Sequence, residues 1–155
     1  QGINSVIIDL RDNTGGVVTE AIDFAELFVK RGDIIMRSYN KADNVTLTKS
    51  NNTKPVDMEI VILVNEYSAS ATEIVTAALK DNEVATIVGT TTYGKGVMQE
   101  VMPLFDGALK VTTEEFQTPN GNEINGIGIM PDEIVEDNVD TEEDEQLQKA
   151  IEILK

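Results

Sequence analysis

Two short stretches of this chain have no polar face. "SVIID" (5–9) and "EIVILV" (59–64) are continuous apolar runs bounded by polar residues, the pattern of strands buried on both sides. Such a strand needs cover above and below it, and a mostly parallel sheet flanked by helices supplies that cover. "ATIVG" (85–89) reads as a third strand of the same sheet. Helical patterns follow the first two. Residues 17–30 place Val18, Ile22, Ala25 and Phe28/Val29 on one stripe, stopped by "RGD" (31–33) with Gly32 near the C′ position. A second helix runs from the neighbourhood of Ser70 to about Asn82.

Hairpins are expected at 34–39/45–48 and at 97–104/109–117, the latter joined by "FDGA", and "IMPDEIV" (129–135) as a last short strand. "TEED" (141–144) fits an N-cap with an acidic first turn. Leu147, Ala150, Ile151 and Leu154 then give an i, i+3, i+4, i+7 stripe. The expected fold class is α/β, one domain over residues 1–155, with a buried central sheet and appended β-hairpins.

Twelve Lys plus Arg against 28 Asp plus Glu leave a net charge of −16. That surface repels phosphate backbones and anionic headgroups, so no nucleic-acid partner is expected. Zero cysteine excludes disulfides, thiolate nucleophiles and Cys-ligated zinc, and zero histidine removes both the commonest metal ligand and the usual base near neutral pH. No metal or cofactor is implied, and the acids of 132–145 lack the spacing of a calcium loop. No apolar run is long enough to span a bilayer. A strand-like run begins almost at the first residue, which reads as a piece of a longer chain whose signal or anchor segment would lie outside it.

"NEYSASATEI" (65–74) carries two serines on the doorstep of a helix. Unpaired backbone N–H groups gather at a helix N-terminus, a good place for a nucleophile and for the oxyanion that its attack creates. Ser70 with Glu73 also matches a capping box, in which a serine only satisfies orphan amides. Without histidine, a base must be a lysine or a carboxylate. Lys95 in "TYGKGVMQ" (92–99) stands between two glycines, where the backbone can turn sharply and close on a neighbour, though an ordinary turn lysine fits the same pattern. A lysine acting as base near neutral pH must shed roughly three units from its ~10.4 reference, about 4 kcal/mol, and that demands a closed pocket. Ser38 and Lys41 match S-x-x-K, but on a strand rather than a helix.

Taken together, "VIIDLRDNTGG", "VILVNEYSASATEI", "GTTTYGKGVMQ" and "TPNGNEINGIGIMPD" resemble the ordered motifs of the carboxyl-terminal processing (tail-specific) proteases, the S41-type Ser–Lys peptidases. The resemblance runs from about residue 3 to 135. It implies a ClpP/crotonase-like fold of ββα units, with Ser70 rather than Ser68 as nucleophile, Lys95 as base and Gln99 orienting the lysine. Asp81 falls where other members have a functionally important aspartate, with helix solubility as the equal alternative. The Ala71 amide and an amide of Gly15 or Gly16 are the expected oxyanion donors, here on physical grounds as well. Thr14, Tyr67 and Thr72 depart from the family pattern.

The resemblance further implies a serine endopeptidase acting on proteins or peptides bound by their C-terminal region, outside the cytoplasm, exported or membrane-anchored. Membrane contact would come only through an upstream anchor. A PDZ module and further strands are expected upstream of this piece, whose site would be incomplete without them. Two other readings use the same fold: a non-catalytic module binding peptides or hydrophobic ligands, and an acyl-CoA enzyme, the latter opposed by the acidic charge.

Overall fold

The computed structural model describes residues 2–137 and 143–155. Its elements are β1 (Ser5–Asp9), α1 (Val18–Glu26), β2 (Ile34–Asn40), β3 (Val45–Lys49), β4 (Glu59–Val64), α2 (Ala71–Asp81), β5 (Ala85–Gly89), β6 (Val97–Leu104), β7 (Gly107–Gln117), β8 (Glu133–Ile134) and α3 (Glu145–Ile153). β1, β4, β5 and β8 pair in parallel in that order, with Ile8 beside Ile62 and Ile62 beside Ile87. The three apolar runs are therefore neighbours, and the mixed α/β fold is the one expected.

β4 explains the continuous apolar pattern. Ile60, Ile62 and Val64 face the main core with α1 and α2, and Val61 and Leu63 face the opposite side, where Leu147, Ala150 and Leu154 of α3 cover them. Alternate side chains of a strand point to opposite faces, so a strand covered twice can carry no polar face. The two hairpins are less separate than expected. They pair through β2 and β7 into one four-stranded antiparallel sheet of order β3-β2-β7-β6. Ile35, Met36 and Phe116 of that sheet close the main core.

Two helix ends differ from the sequence reading. α1 stops at Glu26 instead of running to residue 30, because Asn52 Nδ2 donates to the carbonyls of Glu26 and Leu27 and Ser50 Oγ donates to that of Val29. Those caps come from residues more than twenty positions away. α3 takes Asp144 as its N-cap, whose Oδ1 accepts from Leu147 N at 2.8 Å. The earlier part of "TEED", residues 141–142, lies outside the described residues.

Parallel pairing puts the C-terminal ends of β1, β4 and β5 along one edge, and each opens into one of the loops that carry the sequence motifs. The edge beyond strand C-termini is where open α/β sheets place their ligands.

Candidate active site

The two serines of "YSAS" have separate tasks. Ser68 is fully buried, its Oγ donating to Leu10 O at 2.7 Å and accepting from Asn65 N at 3.0 Å. It staples the β4–α2 loop to the end of β1. Ser70 is only partly buried and has φ +60°, ψ −119°, a region that residues with a side chain rarely occupy, at a cost of order 1–3 kcal/mol. A strained turn between a strand and a helix is also the backbone setting of the nucleophile elbow in α/β-hydrolases.

The surrounding hydrogen bonds hold that turn. Asn13 O accepts from both Ala69 N at 3.0 Å and Thr72 Oγ1 at 3.1 Å, and Asn65 exchanges two bonds with Asp12, each of 3.0 Å. The β1–α1 loop thus lies against the start of α2. Gly15, at φ +91°, fits so closely that a Cβ there would stand 2.4 Å from Ala69 O and 2.8 Å from Ala71 N. Its own N–H is already donated to Asn13 Oδ1 at 3.0 Å. The Ala71 and Gly16 amides, by contrast, donate to no protein acceptor among the described residues. Of the two loop amides expected as oxyanion donors, Gly16 is therefore the one left open.

Glu73 joins the serine to the lysine. It is fully buried in the first turn of α2. Its Oε2 accepts from Ser70 N and from Lys95 N, both at 2.8 Å, and its Oε1 accepts from Thr92 Oγ1 at 2.6 Å and Gly94 N at 2.7 Å. A buried carboxylate survives only with such a set of donors. The main-chain nitrogens of Ser70 and Lys95 consequently lie no farther apart than twice 2.8 Å. On its other side the lysine loop is clamped by residues 124–128: Gly126 N donates to Gly94 O at 2.8 Å, and a Cβ at Gly96 would stand 2.5 Å from Asn125 N. Lys95 itself is partly buried, and its ammonium has no ion-pair partner among the described residues. The Ser70 and Lys95 side chains are not hydrogen-bonded to each other in this structure.

The profile of peptidase family S41 matches residues 1–135. The chain belongs to that family. It is 38% identical over 99% of its length to a carboxyl-terminal-processing protease of Synechocystis, of which it spans 38%. The photosystem II D1 C-terminal processing protease superposes on 88% of the chain with TM-score 0.79 and 34% identity, over 36% of that protein. Tricorn protease superposes on 97% of the chain with TM-score 0.60 and 26% identity, over 15% of that protein.

Two further positions that family resemblance points to are hydrogen-bonded to neither Ser70 nor Lys95 here. Gln99 lies where the β6–β7 register slips, and its Nε2 donates to Thr112 Oγ1 across the hairpin at 3.3 Å rather than to Lys95. Asp81 ends α2, about 16 Å along the helix from Ser70 at ~1.5 Å per residue. Its Oδ2 accepts from Asn120 N at 2.8 Å and so holds the 118–121 turn.

The S41 domain also carries a charged knot just below the site. Arg11 bonds Asp9 Oδ2 at 2.7 Å, both carboxylate oxygens of Asp144 at 2.8 and 2.9 Å, and Gln146 Oε1 at 3.2 Å. Hydrogen bonds from the guanidinium hold the Asp9 and Asp144 carboxyls below their ordinary range, and those carboxylates push the Arg11 value up. Sequence reasoning missed this knot and gave Glu73 only its capping task. The signal for Glu73 was present, since an acid in the otherwise apolar run "EIVTAAL" had to find partners. Thr92 and Asn13 left no comparable trace.

Proposed function

We propose that this chain is the catalytic part of a serine endopeptidase that cuts proteins near their C-termini. The observation that carries the reading is the shared Glu73 oxygen, which fixes the Ser70 and Lys95 backbones together beside an open Ala71 amide. In this reading Ser70 Oγ attacks the scissile carbonyl as its proton passes to the neutral Lys95 amine. The Gly16 and Ala71 N–H groups receive the oxyanion. Lys95 returns the proton to the leaving amine as the C–N bond breaks, and then activates the water that hydrolyses the acyl-enzyme. Cleavage near C-termini agrees with the carboxyl-terminal processing that the relatives' names state, and binding of substrates by their C-terminal region belongs to the same proposal.

The test is labelling of Ser70 by a small phosphonyl fluoride in the full-length protein, read by mass spectrometry. Labelling should occur at Ser70 and vanish in Lys95→Ala and Ser70→Ala variants that keep their melting temperature. A Lys95→Ala variant that labels as fast as the parent would defeat the dyad.

A further inference from the structure

Glu73 holds the Lys95 loop from one side, and its other side rests on the loop of residues 118–128, between β7 and β8. The carbonyls on both sides of Lys95 are occupied. Gly96 O accepts from Phe116 N at 2.9 Å, and Gly94 O accepts from Gly126 N at 2.8 Å. Phe116 is a buried residue of β7, so its hold is built into the sheet. Gly126 is exposed and lies in the loop, so its hold is only as good as the loop's own footing.

That footing has an apolar pin and a polar brace. Ile124 is fully buried in the main core. The residues on either side of it, Glu123 and Asn125, are exposed and reach back to the antiparallel sheet. Glu123 Oε1 accepts from Gln117 Nε2 at 2.6 Å, and Asn125 Nδ2 donates to Glu115 Oε2 at 3.4 Å. Between the two carboxylates stands Tyr39 of β2, whose hydroxyl lies 3.2 Å from Glu123 Oε2 and 3.2 Å from Glu115 Oε2. A phenol has a single proton to give, so it bonds one carboxylate at a time, and each carboxylate keeps an amide of its own. Tyr39 is directly opposite Glu115 in the sheet, and Glu115 is directly opposite Val97, the residue after Gly96.

A single apolar side chain sets how deep a loop sits and leaves it free to turn about that point. Bonds on either side of the pin remove that freedom. Resting on the peptidase reading, we propose that Tyr39 and Glu123 are positioning residues for Lys95, acting through the 123–126 segment on the Gly94 carbonyl that precedes the lysine. Neither is bonded to Ser70 or Lys95. Their task is to keep the amine where the Ser70 proton leaves, a placement in which an error of about 1 Å costs on the order of 100-fold in rate.

Labelling of Ser70 by the phosphonyl fluoride should be timed in the full-length protein and in Tyr39→Phe, Glu123→Ala, Glu123→Gln and the Tyr39→Phe/Glu123→Ala double variant, each well below its melting temperature. Tyr39→Phe removes only a hydroxyl and should slow labelling by about tenfold, a fraction of the loss for a full displacement. Glu123→Ala should slow it further. The double variant should be no slower than Glu123→Ala alone, since both break the same link. Glu123→Gln should stay near the parent, because its amide can donate to the phenol while the phenol donates to Glu115. Asn52→Ala, which uncaps the end of α1 and bonds none of these residues, should lower the melting temperature and leave the rate of the folded protein unchanged. Parental rates in Tyr39→Phe and Glu123→Ala, an additive double variant, or a Glu123→Gln protein as slow as Glu123→Ala would overturn the assignment while the dyad stands. Absence of Lys95-dependent labelling in the parent would remove the peptidase reading, and the assignment with it.

Discussion

Glu73 shows how much a single buried acid can organise. Four donors from two separate loops converge on its carboxylate, and among the described residues no buried side-chain nitrogen or oxygen lacks a partner. Glu73→Gln keeps the shape but turns one acceptor oxygen into an NH₂ facing N–H donors. Leaving such donors unpaired costs about 1–3 kcal/mol or more, so calorimetry should show a melting temperature lower by roughly 5–10 °C for a domain of this size. The labelling rate of the folded protein at Ser70 should also fall by about 100-fold, the cost of a small misplacement in a catalytic group. A residue that only capped the helix would lower stability while leaving that rate intact. At this scale the sequence was partly readable. Ser70, Lys95 and the capping pair were visible as types at a spacing, but the bond from Glu73 to Lys95 N spans 22 positions and depends on where two loops meet. The strain at Ser70 and the spent amide of Gly15 are likewise properties of backbone geometry, which residue types do not encode.

Elements were legible where burial is periodic and illegible where a distant side chain sets the boundary. β4 and the stripe of α3 followed from apolar pattern alone. The end of α1 depends on Asn52, and the start of α3 on Asp144, which also binds Arg11. α3 thus docks by two means, an apolar stripe on β4 and β5 and a charged anchor at its first turn. The anchor is pH-dependent. Because Asp9 and Asp144 have folded values below the ordinary 3.8, their contribution is fully present above about pH 4 and is lost as pH falls through the depressed values. Asp144 is about one-third exposed and Asp9 half exposed, so screening keeps the contribution to ~1 kcal/mol or less. Hydrogen exchange below pH 3.8 should release the Leu147 amide before those of α2. In Arg11→Ala that release should already be present at neutral pH. Equal protection of α3 in parent and variant across the range would show that its apolar stripe holds it unaided.

For the whole molecule, the parallel sheet followed from its three apolar runs. The joining of two hairpins into one antiparallel sheet did not, because β2 and β7 are separated by four other strands, a helix and long loops. Position in the sheet then brings the motif loops together: three loops meet because β1, β4 and β5 are adjacent and run the same way. The charge of −16 acts at this scale too. Self-repulsion of a net charge opposes compactness and is screened by salt, so the melting temperature at pH 7 should rise between 10 mM and 0.5 M sodium chloride. A fall over that range would mean that local ion pairs such as Lys80–Asp132 outweigh the overall repulsion.

The shared oxygen of Glu73 grips main-chain nitrogens and leaves the Ser70 and Lys95 side chains out of the scaffold. Either side chain is therefore replaceable without disturbing what holds the loops. On the proposed reading, two substitutions in a duplicated copy freed from selection for cleavage would remove the chemistry and leave the domain folded. On that reading, loss of catalysis is an easy step in descent, and loss of Glu73 a hard one.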